Sequence, residues 1–200
     1  MAWPDFESKE HFNVVNYSGN ASAGNAVTGV GHQPDIMWSK CASGDWGWQK
    51  FDTNRGGTYR QKIVHLGSYV EDSSANNVTA WGSDGFTLGS DGQVNTNGEL
   101  YHAFCWKANG GTTSSNTAGD ITTTIQTNPT AKMSLFTYTG NSSGAGQTIG
   151  HGLGVLPEWI QIFRRDSAFL AGYHVGMGSM ITGSIAATRN FEWFAGTPSP

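Results

Sequence analysis

One pattern of residues occurs twice in this chain, and it limits the possible folds more than any other feature. Phe12-Asn13-Val14-Val15-Asn16-Tyr17-Ser18-Gly19-Asn20, a glycine-rich turn, an extended run and Pro34-Asp35-Ile36-Met37-Trp38 return as Met133-Ser134-Leu135-Phe136-Thr137-Tyr138-Thr139-Gly140-Asn141, glycines, and Pro157-Glu158-Trp159-Ile160-Gln161. Tyr17, Gly19 and Asn20 shift by 121 to Tyr138, Gly140 and Asn141, Ala23 and Gly24 by 122 to Ala145 and Gly146, and Pro34 by 123 to Pro157. Drift of one residue at a time is what insertions in turns produce, so the pattern reads as a duplicated unit. Repetition on this scale points to modular binding or assembly before it points to catalysis.

The composition says what kind of unit is repeated. Charged residues are only 13% of the 200, glycines number 28, and Ser, Thr and Asn separate short apolar runs. Short strands joined by tight turns have this composition, so the expected class is all-β: an antiparallel β-sandwich, duplicated. A net charge of −4, with no basic cluster larger than Arg164-Arg165, argues against a nucleic-acid partner. The first seven residues lack the basic start and apolar run of a signal peptide, and no apolar stretch nears the length of a membrane span, so no membrane partner is expected. Cys41 and Cys105 neither demand nor forbid a disulfide; two buried free thiols are expected.

Residues 1–11 read as a polar arm whose aromatic hooks, Trp3 and Phe6, are candidate docking residues. A first β-sandwich repeat is expected over 12–110, with strands near 12–17, 25–30, 35–40, 48–53, 62–66 and 77–81. Asp84-Gly85 and Asp91-Gly92 read as two turns around an apolar segment. Residues 100–107 are apolar on both faces, the pattern of a central, doubly covered strand that closes the unit against its opening strand. Residues 111–131 read as a Gly/Ser/Thr-rich linker with one connecting strand near 121–125, and 132–200 as the second repeat, with strands near 158–163 and 172–175.

That second repeat is about a third shorter than the first and has no counterpart of the strand at 100–107. A sheet without its closing strand exposes an edge and an apolar face, which soluble proteins rarely leave open. Residues 176–194 rebuild the unit, another chain covers it, or the chain is cut short.

Chemistry-bearing groups form no set. The six histidines have no metal-ligand spacing, and the cysteines form no C-x-x-C pair. The run Asp91 to Glu99 lacks the glycine and carboxylate of a calcium loop and reads as turn chemistry. Asp45, Asp52, Asp84 and Glu99 are the plausible suppliers of a hydrolytic carboxylate pair, and nothing singles out two of them. Trp46 and Trp48, beside Asp45, pack into a core or form a stacking platform for sugar rings; the three are the candidate glycan or partner contacts. No cofactor and no metal are expected.

Several stretches together resemble the repeated β-sandwich domains of virion structural proteins from marine tailed phages, cyanophages and pelagiphages above all. They are Val15-Asn16-Tyr17-Ser18-Gly19-Asn20, Pro34-Asp35-Ile36-Met37-Trp38-Ser39-Lys40, Phe51-Asp52-Thr53-Asn54-Arg55-Gly56, Asp84-Gly85-Phe86-Thr87-Leu88-Gly89-Ser90, and Val94-Asn95-Thr96-Asn97-Gly98 with Tyr101-His102-Ala103-Phe104-Cys105-Trp106-Lys107-Ala108. Ser134 to Tyr138, Gly150-His151-Gly152-Leu153-Gly154-Val155 with Pro157, and Tyr173-His174 resemble the opening of a second repeat. The resemblance implies a concanavalin-like or jelly-roll-like double sheet in a particle protein, with no catalytic residues to transfer.

The expectation is therefore a non-enzymatic virion protein: a tail or head fibre, knob or capsid decoration. It would assemble through its sandwiches with copies of itself, a trimer being the simplest arrangement, and with other virion proteins, and it would contact the host surface. The alternative is a carbohydrate-binding module for host surface polysaccharide. A polysaccharide depolymerase is a third reading, for which no acid/base constellation emerges.

Overall fold

The computed structural model describes residues 7–63, 70–143, 146–163, 165–166, 174–177 and 191–192. Trp3 and Phe6 lie outside them. After a 3-10 turn at Ser8–Glu10, the elements are β1 (Phe12–Ser18), β2 (Asn25–Thr28), β3 (Ile36–Cys41), β4 (Trp48–Asp52), β5 (Tyr59–Ile63), β6 (Asp72–Ser73), β7 (Val78–Gly82), β8 (Gly85–Leu88), α1 (Gly92–Asn95) and β9 (Leu100–Trp106). There follow β10 (Ser114–Asn116), β11 (Thr123–Asn128), β12 (Met133–Tyr138), β13 (Trp159–Ile160), β14 (His174–Met177) and β15 (Phe191–Glu192).

The chain is an all-β sandwich. One sheet has the order β1-β9-β3-β4-β5-β6, and a three-stranded sheet, β2-β8-β7, packs on its inner face. Strand alternation builds the core between them. Tyr17 of β1, Met37 and Cys41 of β3, Phe51 of β4 and Tyr101, Ala103 and Cys105 of β9 meet Val27, Val78, Phe86 and Leu88 of the smaller sheet. Tyr17 and Tyr101 stack at 5.0 Å between ring centroids, and Phe86 meets Tyr17 edge-on at 5.9 Å. Burial is compatible with both phenols because each finds partners: Tyr17 Oη donates to the Val94 carbonyl at 2.9 Å, and Tyr101 Oη accepts the Thr96 N–H at 3.0 Å. Gly85 lies so close to β2 that a Cβ there would sit 2.0 Å from the Val27 carbonyl oxygen, which keeps β8 pressed against β2. Cys41 and Cys105 are both buried free thiols.

The opening strand does close against the apolar run of the first repeat: β1 pairs with β9 from Phe12↔Trp106 to Ser18↔Leu100. Other expectations need correction. Strand β9 is covered on one face only; Leu100, His102, Phe104 and Trp106 point to the outer face and remain partly or fully exposed. The pair Ser83 and Asp84 makes the turn between β7 and β8, but Asp91 does not turn a hairpin. Its side chain accepts the Gln93 N–H and caps α1, because an aspartate that bonds an amide two residues on starts a helix as readily as a turn. The strand placed at 62–66 runs from Tyr59 to Ile63, and residues 64–66 lie outside the described residues.

Residues 111–131 contain two strands rather than one, and they pack instead of linking. Strands β10, β11 and β12 form a sheet anchored to the first repeat by side-chain amides: Gln126 Nε2 donates to Thr53 Oγ1 at 2.7 Å and to Asn54 Oδ1 at 2.6 Å, and Asn128 Nδ2 donates to the Lys107 carbonyl at 3.1 Å. The openings of the two sequence repeats, β1 and β12, are both strands, but they lie in unlike sheets. Among the described residues, β12 pairs only with β11. The strand expected at 158–163 is the two-residue β13, and it joins β14 and β15 in a further small sheet formed within the chain.

Candidate functional site

The outer face of the six-stranded sheet falls into two halves, and the division follows from what Gln161, Phe163 and Arg165 cover. Over β4 and β5 they lie as a lid. Phe163 places its ring 3.5 Å from Lys50 Nζ, Gln161 Oε1 lies 3.4 Å from the same nitrogen, and Arg165 grips Glu71 with two bonds of 2.7 and 2.8 Å. Glu71 also meets Arg55 at 2.6 Å, and Arg55 meets Asp52 at 2.6 Å, so a largely buried chain of alternating charge fastens this segment to the first repeat. Burial pushes the Glu71 carboxyl up, but the guanidiniums of Arg165 and Arg55 outweigh it and hold the group below the usual carboxylate range.

Lys50 lies beneath the lid and, among the described residues, has no carboxylate in an ion pair of its own. Burial lowers its pKa to about 7, with Arg55 adding to the shift and Asp52 opposing it. The unfolded chain keeps a lysine protonated up to its ordinary value of about 10.4, so between pH 7 and 10 the unfolded state binds more protons and stability rises with pH. The slope from this one group approaches about 1.4 kcal/mol per pH unit. Lys50→Met is therefore expected to be more stable than the wild type at pH 7 and to lose much of this rise. Urea unfolding at pH 7 and pH 9.5 checks it; parallel profiles for the two proteins would contradict the assignment.

Over β1 and β9 the outer face carries exposed side chains, Phe12, Val14, Asn16, Leu100 and His102, while Trp38 of β3 has Lys50 Nζ 5.2 Å from its ring centroid at the margin of the lid. Phe12 contacts Trp106 at 5.1 Å, Trp106 contacts Trp38 at 5.5 Å, and Trp48 contacts Phe104 at 5.4 Å and Trp38 at 6.4 Å. These five rings form one continuous ladder across four neighbouring strands, because registers Phe12↔Trp106, Ile36↔Trp106, Trp38↔Phe104 and Trp38↔Lys50 stack alternate residues on the same face. Phe12 lies at the boundary of exposure, the other four are half-buried, and Val14 at 40% and Leu100 at 54% exposure extend the apolar surface. An apolar surface of this kind marks an interaction site.

The sequence candidates separate here. Trp48 belongs to the ladder. Trp46, 42% exposed, sits with the exposed Asp45 in the loop between β3 and β4, where its carbonyl accepts a bond from Lys40 Nζ. Phe12, Trp38, Phe104 and Trp106 were not singled out from sequence; the signal that finds them is the alternation of aromatics at even positions from Phe104 to Trp106, once register places Phe12 and Trp38 on either side. The four candidate carboxylates do not converge. Asp52 is committed to Arg55, Asp84 accepts the N–H groups of Gly29 and Gly31, Glu99 accepts from Ser43, and Asp45 stands exposed. Among the described residues no group of three or more His, Cys, Asp or Glu could hold a metal ion.

A shallow cleft of about 400 Å³ lies elsewhere, lined by Asp120, Thr124, Thr137, Tyr138, Asn141 and Arg165 among others. Asp120 is occupied, accepting from Thr148 Oγ1 at 2.6 Å and the Thr148 N–H at 2.9 Å.

The model of a family described as a domain of unknown function, DUF7483, matches residues 7–188. The chain belongs to the DUF7483 family. That match runs through β1 to β14, in keeping with the bonds that tie β11 to residues 53 and 54. No curated protein and no solved structure matches this DUF7483 chain.

Proposed function

We propose that this chain is a non-enzymatic structural protein of a tailed-phage virion, a fibre, knob or decoration that works by packing its β-sandwich against copies of itself and other particle proteins. The observation that carries the reading is the open half of the outer face: five contiguous rings with Val14 and Leu100, on a sheet whose other half the chain covers with its own residues. A surface that gains from burial and holds no set of convergent acid and base groups suits assembly. The sequence resemblance to virion structural proteins supplies the setting, and the arm bearing Trp3 and Phe6 would add contacts to neighbours. Immunogold labelling of purified particles from the virus that carries the chain tests this. Label on intact particles is the expected result, and a chain confined to the soluble lysate contradicts it.

A second reading, recognition of host surface polysaccharide, is favoured by the exposed pair Asp45 and Trp46 beside Trp48 at the rim of the same face. Aromatic faces with a nearby carboxylate suit sugar rings. Binding to purified host polysaccharide that Trp46→Ala abolishes would support it, and binding that survives the substitution, or no binding, would not.

A further inference from the structure

We propose that β1 is a docking edge for a second copy of this chain, pairing antiparallel with β1 of that copy so that two six-stranded sheets continue as one and their open aromatic faces join. This deepens the assembly reading above and rests on it. The parity of the ladder shows which backbone groups are available. The Lys107 N–H bonds the His11 carbonyl and the Gly19 N–H bonds the Glu99 carbonyl, so odd-numbered residues of β1 turn their backbone toward β9. Phe12, Val14 and Asn16 turn theirs to the other side, where no strand follows among the described residues. There the Val14 N–H is met by Asn13 Oδ1 at 2.9 Å, a short-range contact that an incoming strand can replace with a ladder bond.

Natural sheet edges are blunted by charge, proline, bulges or brevity. The opposite edge of this sheet obeys that rule: β6 has two residues, and its Asp72 is held by Arg60 at 2.9 Å and Lys62 at 2.8 Å. Strand β1 does not. It runs for seven residues, Phe-Asn-Val-Val-Asn-Tyr-Ser, with no charged residue, no proline and no register shift against β9. Of its exposed side chains, the apolar Phe12 and Val14 are continuous with the aromatic ladder, and Asn16 and Ser18 are polar.

The occupant follows from the chemistry of the strand. An uncharged edge offers an oppositely charged partner nothing to recognise, and it lets a like strand approach without repulsion. Two-fold pairing with Val14 opposite its own copy sets Phe12 opposite Asn16 and places the same patch on both sides, the isologous contact that closed dimers use. Such a contact joins copies in pairs, so any higher assembly uses a further surface.

Light scattering over a range of concentrations, on the wild type, Val14→Pro and Val14→Lys, tests this. Proline at 14 removes an N–H that faces away from β9, so it blocks the new ladder and leaves the old one intact. Lysine there places like charges at the centre of the contact. The wild type is expected to associate, and both variants to do so at least about tenfold more weakly, a change of about 1.4 kcal/mol, while keeping the far-ultraviolet spectrum of the wild type. If Val14→Pro fails to fold, Val14→Lys decides. Variants that associate as the wild type does overturn the edge contact and leave the assembly reading standing; a wild type that is monomeric at every concentration overturns both.

Discussion

Asp35→Ala is expected to lower the stability of the fold by roughly 4 kcal/mol, because it leaves several buried donors without an acceptor. Asp35 is fully buried at the entry to β3. Its Oδ2 accepts the N–H groups of Ala108 at 2.6 Å and Gly110 at 2.8 Å, and its Oδ1 accepts the Gly111 N–H at 2.6 Å and the Thr53 hydroxyl at 3.0 Å. One carboxylate thus fixes the turn after β9 and the turn after β4 together. Gly111 also donates to Gln126 Oε1 at 3.0 Å, which links the same turn to β11. Loss of the carboxylate should therefore loosen the β10-β11-β12 sheet as well as the sandwich. Asp35→Asn keeps the shape but presents an NH₂ to groups that are themselves donors, and it should fall between the wild type and alanine. Chemical unfolding monitored by tryptophan fluorescence measures both; an alanine variant within about 0.5 kcal/mol of the wild type, the ordinary range for surface changes, would refute this role.

Asn95→Ala is expected to cost roughly 3 kcal/mol by the same logic applied to a neutral group. Asn95, fully buried at the end of α1, receives the Asn20 N–H at 2.9 Å and Asn25 Nδ2 at 2.8 Å on Oδ1. Its own Nδ2 reaches the Gly89 carbonyl at 2.7 Å, the Ser22 carbonyl at 3.0 Å and Asn20 Oδ1 at 3.2 Å. It joins the turn after β1, the start of β2 and the end of β8. Asn95→Asp is the sharper variant: it sets a carboxylate oxygen against three acceptors, so it should destabilise at least as much as alanine at pH 7 and recover part of the loss below pH 4, where the carboxyl protonates and can donate. Unfolding curves at pH 7 and pH 3.5, each referred to the wild type at the same pH, check the sign; a variant equal to the wild type at pH 7 would contradict the network.

These two residues show where sequence reasoning stops. Asn95 sits in a run of small polar residues that resembles any turn, and Asp35 follows a proline at a strand entry; nothing in either stretch shows that the side chain points inward to gather three distant segments. Strands β1, β3 and β9 were legible because a residue period of two is written in their order. The two-residue strands β6, β13 and β15 are too short to carry a period. The aromatic ladder was half legible. Residues 100–107 announced themselves as apolar on both faces, but a sequence cannot tell a face covered by another layer from one left open. Here the outcome depends on Gln161, Phe163 and Arg165, which Lys50 and Glu71 hold at sequence separations of 111 for Lys50 and Gln161 and 94 for Glu71 and Arg165. Trp46 and Trp48 stood out because they are neighbours in sequence; register then parts them, one into the loop and one into the ladder.

Amide hydrogen exchange at two protein concentrations tests most directly whether this edge and face are built to be covered by another copy. In dilute solution Phe12, Val14 and Asn16 should exchange fast while Asn13, Val15 and Tyr17, bonded to β9, exchange slowly. In concentrated solution the first three should become slow as well. Fast exchange at Phe12, Val14 and Asn16 that does not change with concentration would contradict the account.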